Sequence, residues 1–517
     1  MALHEILTAV TISNALLLFS AYWLGWIVYC KTLHPLARVP GPLWPAISRT
    51  WGSKVYRMAV GDIETVERNL HAKYGPLVRM GPNEVSCSDT AAIPLIYRER
   101  NPLPKTSWYE TFRPQGVSDQ ADLFTETDEE KHTRYRKIVG PAYHMSVVLK
   151  NESAIDECTN LFVKRLNEFA ARKQPFDFGH WLEMFAYDVI GRVLYGEMLG
   201  FLETGTDVGR WMESVTQALP LLHIAAMAPK YMLAPIMIAA MLIPGMAKNF
   251  SAVGEITAQA KRKTEDRMKE EDKGVNGNGD KKQQRHDVMS QLFAIMHARG
   301  SEVGFTHHEI TLESWAGIIA GSDSTATTMR AVFYYLMKSP PTLSKAIAEI
   351  QEADKKGLLS TPIRYNETIS QLPHICAAVK EAMRLFPSFA TRLRRVAPAQ
   401  GLELAGYHVP AGCWVGINPF VIQRDKAVFG DDADSFRPER WLESIERNHV
   451  MEKGMLVWGA GTRTCIGKNI ALAEMHKLIP EILRRFDIEM AHAREWKTWN
   501  AGFIKQTDVV VNLKVRG

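Results

Sequence analysis

The chain has 517 residues, 46% of them apolar and 23% charged, with a net charge of +5. That length forms two or three average domains or one large one with a full core. So weak a positive charge, with no basic run interleaved with aromatics, argues against nucleic-acid binding. Six cysteines, at 30, 87, 158, 376, 413 and 465, include no C-x-x-C pair, which argues for a reducing compartment and against a disulfide framework or structural zinc.

Residues 6–30 carry no charged side chain, enough for a helix to cross the hydrocarbon core with some tilt. Tyr22, Trp23, Trp26 and Tyr29 gather at its end like an interfacial aromatic belt. Glu5 precedes the run, whereas Lys31, Arg38, Arg49, Lys54 and Arg57 follow it, so the positive-inside bias places the bulk of the chain in the cytosol. A cleaved signal peptide is the competing reading, but a basic n-region and a small-residue cleavage site are missing. Pro35 and Pro40-Gly41-Pro42 predict a stiff, non-helical linker over 31–50. Residues 74–86 hold two strand-like runs split by a turn, a hairpin by physics alone.

His132 and Arg136, at i, i+4 spacing, share a helical face; by itself such a pair reads as a solvated charged turn. Residues 219–246 are strongly apolar but interrupted by Pro220, Pro229, Pro235 and Pro244. They predict short helices dipping into a membrane face rather than one span, with an ordinary buried core as the competing reading. The charged, glycine-containing run 269–286 predicts a solvated, flexible loop.

Thr306-x-x-Glu309 forms a capping box, with Phe305 and Ile310 as its staple, and Pro340 and Pro341 stop the helix that follows near Lys338. A helix apolar on most faces passes through the middle of a domain. At its centre, Ala320-Gly321-Ser322-Asp323-Ser324-Thr325 is a polar patch of poor helix formers. Its hydroxyls can bond a preceding carbonyl or a trapped water, and Gly321 is expected to leave room for a ligand. Glu381-x-x-Arg384 shares a helical face and in isolation reads as a surface salt bridge; Phe436-Arg437-Pro438-Glu439-Arg440-Trp441 follows it.

The glycine-rich stretch Trp458-Gly459-Ala460-Gly461-Thr462-Arg463-Thr464-Cys465-Ile466-Gly467 precedes a predicted helix running to about residue 486. At a helix N-terminus, free N–H groups and the macrodipole favour a Cys465 thiolate, which is a nucleophile or a metal ligand. Gly459 and Gly461 permit positive φ and, with Gly467, strip the loop of side chains, which suits a large planar cofactor. Haem iron ligated by cysteine is the known chemistry of that description. A dinucleotide fingerprint starting at Gly459-x-Gly461 fails, because Thr464 stands where its third glycine belongs.

This loop resembles the haem-binding loop of the cytochrome P450 family, with Trp458 in place of the usual phenylalanine, and the Asp323, Glu381 and Arg440 motifs occur in the family's order. The resemblance implies a mainly α fold with a small β-rich lobe, preceded by one N-terminal transmembrane helix. The division would be an anchor over 1–30, the linker over 31–50 and a haem-thiolate domain over 51–517. It implies Cys465 as the axial ligand of haem b, cradled by Trp458, Gly459, Gly461 and Gly467, with His132, Arg136, Arg395 and Arg463 at the propionates. Asp323, Ser324 in place of the usual threonine, and Thr325 would deliver protons to dioxygen; Glu381, Arg384 and Arg440 would form the buried network that orients the cysteine loop. Pocket positions are expected at Trp315, Ile319 and Ala320, at Phe389 and Ala390, and at Phe503 and Ile504.

The implied activity is oxidation of a lipophilic small molecule by hydroxylation, epoxidation or demethylation at the endoplasmic reticulum membrane. Electrons would come from NADPH through a separate flavoprotein, the NADPH-cytochrome P450 reductase, docking at Arg134, Lys137 and Lys468, with cytochrome b5 as a second donor. The run 466–475 looks most like fungal members of secondary metabolism, pisatin-demethylase relatives among them. An oxidative cyclase or radical-coupling enzyme that inserts no oxygen is the alternative. A haem-binding sensor or catalytically silent membrane protein is more remote.

Overall fold

The capping box opens the longest helix as its residues require. In the computed structural model, which describes residues 2–49, 61–114, 116–276, 286–500 and 502–517, the Thr306 N–H donates to Glu309 Oε2 at 2.7 Å and the His308 N–H to Thr306 Oγ1 at 3.2 Å. The central helix His307–Lys338 follows, and Pro340, at the first turn of Pro340–Lys355, tolerates the break because its missing N–H is one a helix start leaves unpaired. Central helix and Phe178–Tyr195 cross closely at Gly317 and Gly321, where a Cβ would meet Leu194 at 2.5 Å and Ile190 at 2.8 Å. Gly321 thus serves helix packing and not a ligand, contrary to the expectation from sequence.

The core around this crossing is helical, and a second apolar cluster fills a β-rich lobe. The lobe's main sheet runs Leu77–Gly81, Glu84–Cys87, Trp414–Gly416, Arg395–Val396, with the predicted hairpin as its first pair and one parallel pairing, Glu84 beside Trp414. A three-stranded sheet joins Phe176–Asp177 and Phe486–Met490 to the C-terminal strand Val510–Val515, and the hairpin Lys497–Asn500 with Ile504–Thr507 lies against the central helix.

Three segments differ from their patterns. The N-terminal helix runs Ala2–Thr32, with Ile12–Thr32 long and apolar enough to cross a membrane. The linker then holds a short helix, Leu43–Ile47, once Pro42 is passed. It is also tied back, since Trp26 Nε1 donates to the Ile47 carbonyl at 2.8 Å and Arg79 to the Cys30 carbonyl at 2.6 Å. The proline-punctured stretch forms Trp211–Met227 and Lys230–Met241, breaking at Ala228-Pro229 but running through Pro220 and Pro235. Tyr231, Ile238, Leu242 and Ile243 are exposed, so its second half is apolar surface and not core. Helix Met246–Asn276 occupies the first part of the expected loop, helped by pairs such as Asp266 with Lys269 at 3.3 Å. Residues 277–285 of that loop, and Thr50, Lys54 and Arg57, lie outside the described residues.

Candidate active site

The cysteine loop turns twice through left-handed backbone, at Gly459 (φ 69°) and Gly461 (φ 62°), before the helix Lys468–Arg485 begins behind Gly467. The Cys465 N–H closes the loop on the Trp458 carbonyl at 2.8 Å. A Cβ on Gly461 would lie 2.6 Å from the Tyr97 carbonyl oxygen and 2.8 Å from that of Arg98. That glycine therefore admits a neighbouring chain segment, whereas nothing lies within 4 Å of a Cβ on Gly467, which keeps the approach beside the sulfur open.

Cys465 is accessible although protein atoms crowd round it. Burial pushes its thiol up from the ordinary value; the N–H groups of Gly467 and Lys468 and the Arg136 guanidinium pull it back. The helix end alone does not secure a thiolate here; a bound metal cation would.

Glu313, Ala316, Ala320 and Ser324 follow one another along a single face of the central helix, and Ala320 is exposed in the middle of an otherwise covered element. Arg136 interacts electrostatically with both Glu313 and Cys465, so this face looks toward the cysteine loop. Ser324 Oγ donates to the Ala320 carbonyl at 2.6 Å on that face, whereas Thr325, buried, donates to the Gly321 carbonyl at 2.8 Å. Asp323 Oδ1 lacks a hydrogen bond and stands 3.9 Å from Lys505 Nζ; burial raises its carboxyl and the lysine opposes this.

His132, Arg136, Arg395 and Arg463 come together, and with them Lys105, which sequence reasoning missed. A lone lysine between Pro104 and Thr106 carries no motif; only its antiparallel bridge to Arg395 brings it there. His132 is buried with Nδ1 unpartnered, and burial together with these four cations holds it down to about 2, so it is neutral. Lys105 Nζ donates to the Phe124 carbonyl at 2.7 Å and is pushed well down by burial, Arg463 and Arg395. Arg463 pairs with Glu129 (Nε to Oε1, 2.9 Å) and donates to the Glu126 carbonyl at 2.8 Å, tying the cysteine loop to the helix Glu129–Val139.

Glu381, Arg384 and Arg440 also meet, all fully buried. Glu381 accepts from Arg384 (Nε, 2.8 Å; Nη2, 2.8 Å), Arg440 Nε at 2.9 Å, the Arg437 N–H at 3.0 Å and Trp441 Nε1 at 2.9 Å. Arg384 passes on to the carbonyls of Gln423 and Ala433 and Arg440 to that of Asp432, in the segment leading to the cysteine loop.

A family model for cytochrome P450 matches residues 48–510. The chain belongs to the cytochrome P450 family. It is 37% identical over 508 residues to cytochrome P450 monooxygenase gsfF of Penicillium aethiopicum, covering 98% of this chain and 99% of that one. It is 44% identical over 381 residues to cytochrome P450 monooxygenase ACRTS1 of Alternaria alternata (74% and 99% covered), and 33% identical over 486 residues to a pisatin demethylase of Fusarium vanettenii (94% and 92%). As a P450 monooxygenase it is a haem-thiolate oxidoreductase.

Of the expected pocket positions in this P450, Ala320 is exposed, and Phe389 and Phe503 are half-buried with their rings 4.8 Å apart. Ala390 and Ile504 are buried behind them, in the backbone bonds that join the Phe389 loop to the C-terminal hairpin. Trp315 and Ile319 are half-buried but turned roughly 140° and 100° round the helix from Ala320. Instead, Trp108, Phe112, Phe124 and His223 complete an aromatic wall with Phe389 and Phe503. The signal for the first three in the sequence is only an aromatic-rich loop, and His223 comes from the helix Trp211–Met227.

Glu313 is a buried acid that no motif singled out. Burial pushes it up to about 7, against the Tyr143 hydroxyl (2.7 Å) and Tyr135, with Asp122 raising and Arg136 lowering it further. Because the folded value lies above the unfolded one of 4.5, the contribution of Glu313 to stability is full below about pH 4.5 and is lost as the pH rises to about 7. Glu313→Gln is expected to flatten the fall in melting temperature across that window, measured by thermal denaturation at a series of pH values.

Proposed function

We propose that Cys465 is the axial ligand of haem b and that this P450 oxidises a lipophilic small molecule of fungal secondary metabolism. The observation that carries the reading is an accessible thiol between two helix N-terminal N–H groups, facing the one open stretch of the central helix. The residues fit the group: His132 Nδ1 lacks a partner, and the basic side chains Lys105, Arg136, Arg395 and Arg463 outnumber the acids facing them, Asp122, Glu129 and Glu313, whose carboxyl burial raises, as an anionic propionate edge requires. Lys105, His132, Arg136 and Arg395 would hold the propionates, and Arg463 would lend its charge while anchoring the loop. When bound, the haem iron supplies dioxygen activation.

The chain's own residues supply the rest. Ser324 offers a hydroxyl on the open face and Asp323, one residue before it, a carboxyl that relays protons to it. The aromatic wall around Phe389 and Phe503 orients an apolar substrate and excludes water. Glu381, Arg384 and Arg440 hold the loop. The anchor and the exposed Tyr231, Ile238 and Leu242 rest in the membrane, at the endoplasmic reticulum with the P450 domain cytosolic. Arg134 and Lys137, both exposed, and Lys468 form the docking face for an NADPH-dependent reductase, with cytochrome b5 as a second donor. The relative named for demethylating pisatin supports demethylation among the oxidations open to this site.

The full chain in membranes with a fungal NADPH-dependent reductase tests this. A reduced carbon-monoxide spectrum of the thiolate type and reductase-dependent NADPH consumption are expected; haem-loaded protein lacking that spectrum removes the thiolate assignment. Product formed under ¹⁸O₂ without label would move the chemistry from oxygen insertion to oxidative coupling.

A further inference from the structure

The acid of the central helix takes its counter-ion from the far end of the chain. Lys505 lies on the strand Ile504–Thr507, which is fastened to the central helix one turn beyond Asp323. The Thr327 hydroxyl donates to the Ile504 carbonyl at 3.2 Å and the Gln506 amide to the Thr327 carbonyl at 2.8 Å. From there Nζ reaches three helices: Glu183 Oε1 at 2.9 Å, Thr216 Oγ1 at 2.5 Å and Asp323 Oδ1 at 3.9 Å. Glu183 is shared with Arg330, and Tyr187 also faces the acids, so two carboxylates and two cations balance inside the fold.

The distances divide the work. Glu183 receives hydrogen bonds from both cations, whereas Asp323 is within ion-pair range only and its Oδ1 accepts none. Lys505 also stands two residues after Phe503, whose ring packs on Phe389 at 4.8 Å and on His223 at 6.0 Å. Gly502 and Ile504, on either side of Phe503, are bonded to the Phe389 loop through Ala390 N–H (3.1 Å) and the Ser388 carbonyl (3.0 Å). One short strand therefore joins the aromatic wall to the acid.

We propose that Lys505 is a positioning residue that keeps Asp323 ionised and paired, and that substrate pressing on Phe503 shifts the strand and frees the carboxylate to pass protons from water to Ser324. The inference rests on the P450 reading. The proton enters from solvent and the carboxylate is regenerated, so no further reactant is needed. Burial favours the neutral acid at this position, and Lys505 is the largest influence opposing it.

The test uses the full-length, haem-loaded protein as wild type, Lys505→Met, Lys505→Arg and Asp323→Asn. The reduced carbon-monoxide spectrum of the wild type is taken first, and its absence counts against the P450 reading alone. With that spectrum present, Lys505→Met is expected to show an infrared band of a protonated carboxyl at neutral pH that disappears when Asp323→Asn is added. The same variant diverts several-fold more NADPH electrons into peroxide at equal substrate saturation, and Lys505→Arg restores both readings. No new band and an unchanged partition in Lys505→Met, or an arginine variant indistinguishable from it, overturns the proposal. If Lys505→Met fails to hold haem, Thr216→Val decides: a lysine freed from that hydroxyl pairs more closely with Asp323 and raises the solvent isotope effect on turnover, and an unchanged effect overturns the proposal.

Discussion

Cys465→Ala will lose the reduced carbon-monoxide absorption of a thiolate-ligated haem completely, and NADPH-dependent turnover will fall to the level of the reductase alone. The other cysteines cannot replace it, because Cys30, Cys87, Cys158 and Cys413 are buried within packed structure and Cys376 donates to the Thr368 carbonyl. The fold should survive, since the Cys465 side chain fills no packed core and its backbone bond to Trp458 is unaffected. A change in unfolding free energy of under about 1 kcal/mol is therefore expected. The absorption spectrum and a thermal melt, taken together, separate a lost ligand from a lost fold. A thiolate-type spectrum persisting in the alanine variant would place the ligand elsewhere.

Glu381→Gln carries the largest expected cost in stability. One carboxylate accepts five hydrogen bonds and balances two fully buried guanidinium groups. An amide offers one acceptor oxygen and no charge, so Arg384 and Arg440 are left without their counter-ion in a water-free site. Removing one partner of a buried network costs about 3–5 kcal/mol. Asp432, 3.0 Å from Arg440, offsets only part of it, because its own side chain reaches solvent. Denaturant unfolding and the haem content of purified protein are the measurements. A melting curve equal to the wild type, with full haem content, would show that the network neither stabilises the fold nor holds the cysteine loop.

Part of this was legible in residue order because it depends on neighbours a few positions apart. The capping box at Thr306 and Glu309 and the prolines after Lys338 set the central helix, since caps and stops are decided by bonds to the first and last turns. The left-handed turns at Gly459 and Gly461 follow from residues with no Cβ. Other features misled because short-range rules omit the partner. Pro220 and Pro235 read as helix breaks but are carried inside helices, the charged run after Lys269 stays helical to Asn276, and Gly321 serves a helix crossing. Spacing alone makes Glu381-x-x-Arg384 a surface pair; the family resemblance implied the buried triad, which Arg440 completes from 56 residues beyond Arg384.

By itself the sequence determined the family, the glycine-rich cysteine loop, the hydroxyl-bearing patch of the central helix and the apolar N-terminal run, because each is written in contiguous residues whose chemistry does not depend on distant contacts. Tertiary structure alone decided which groups share the enclosed space. It brought Lys105 to the cations around His132, turned Ser324 and not Thr325 to the open face, placed Glu313 among tyrosines and set Lys505 beside Asp323. The physical reason is common to all four. The charge state of a buried group and the direction it faces are set by what the fold packs around it, and those neighbours lie tens to hundreds of residues away along the chain.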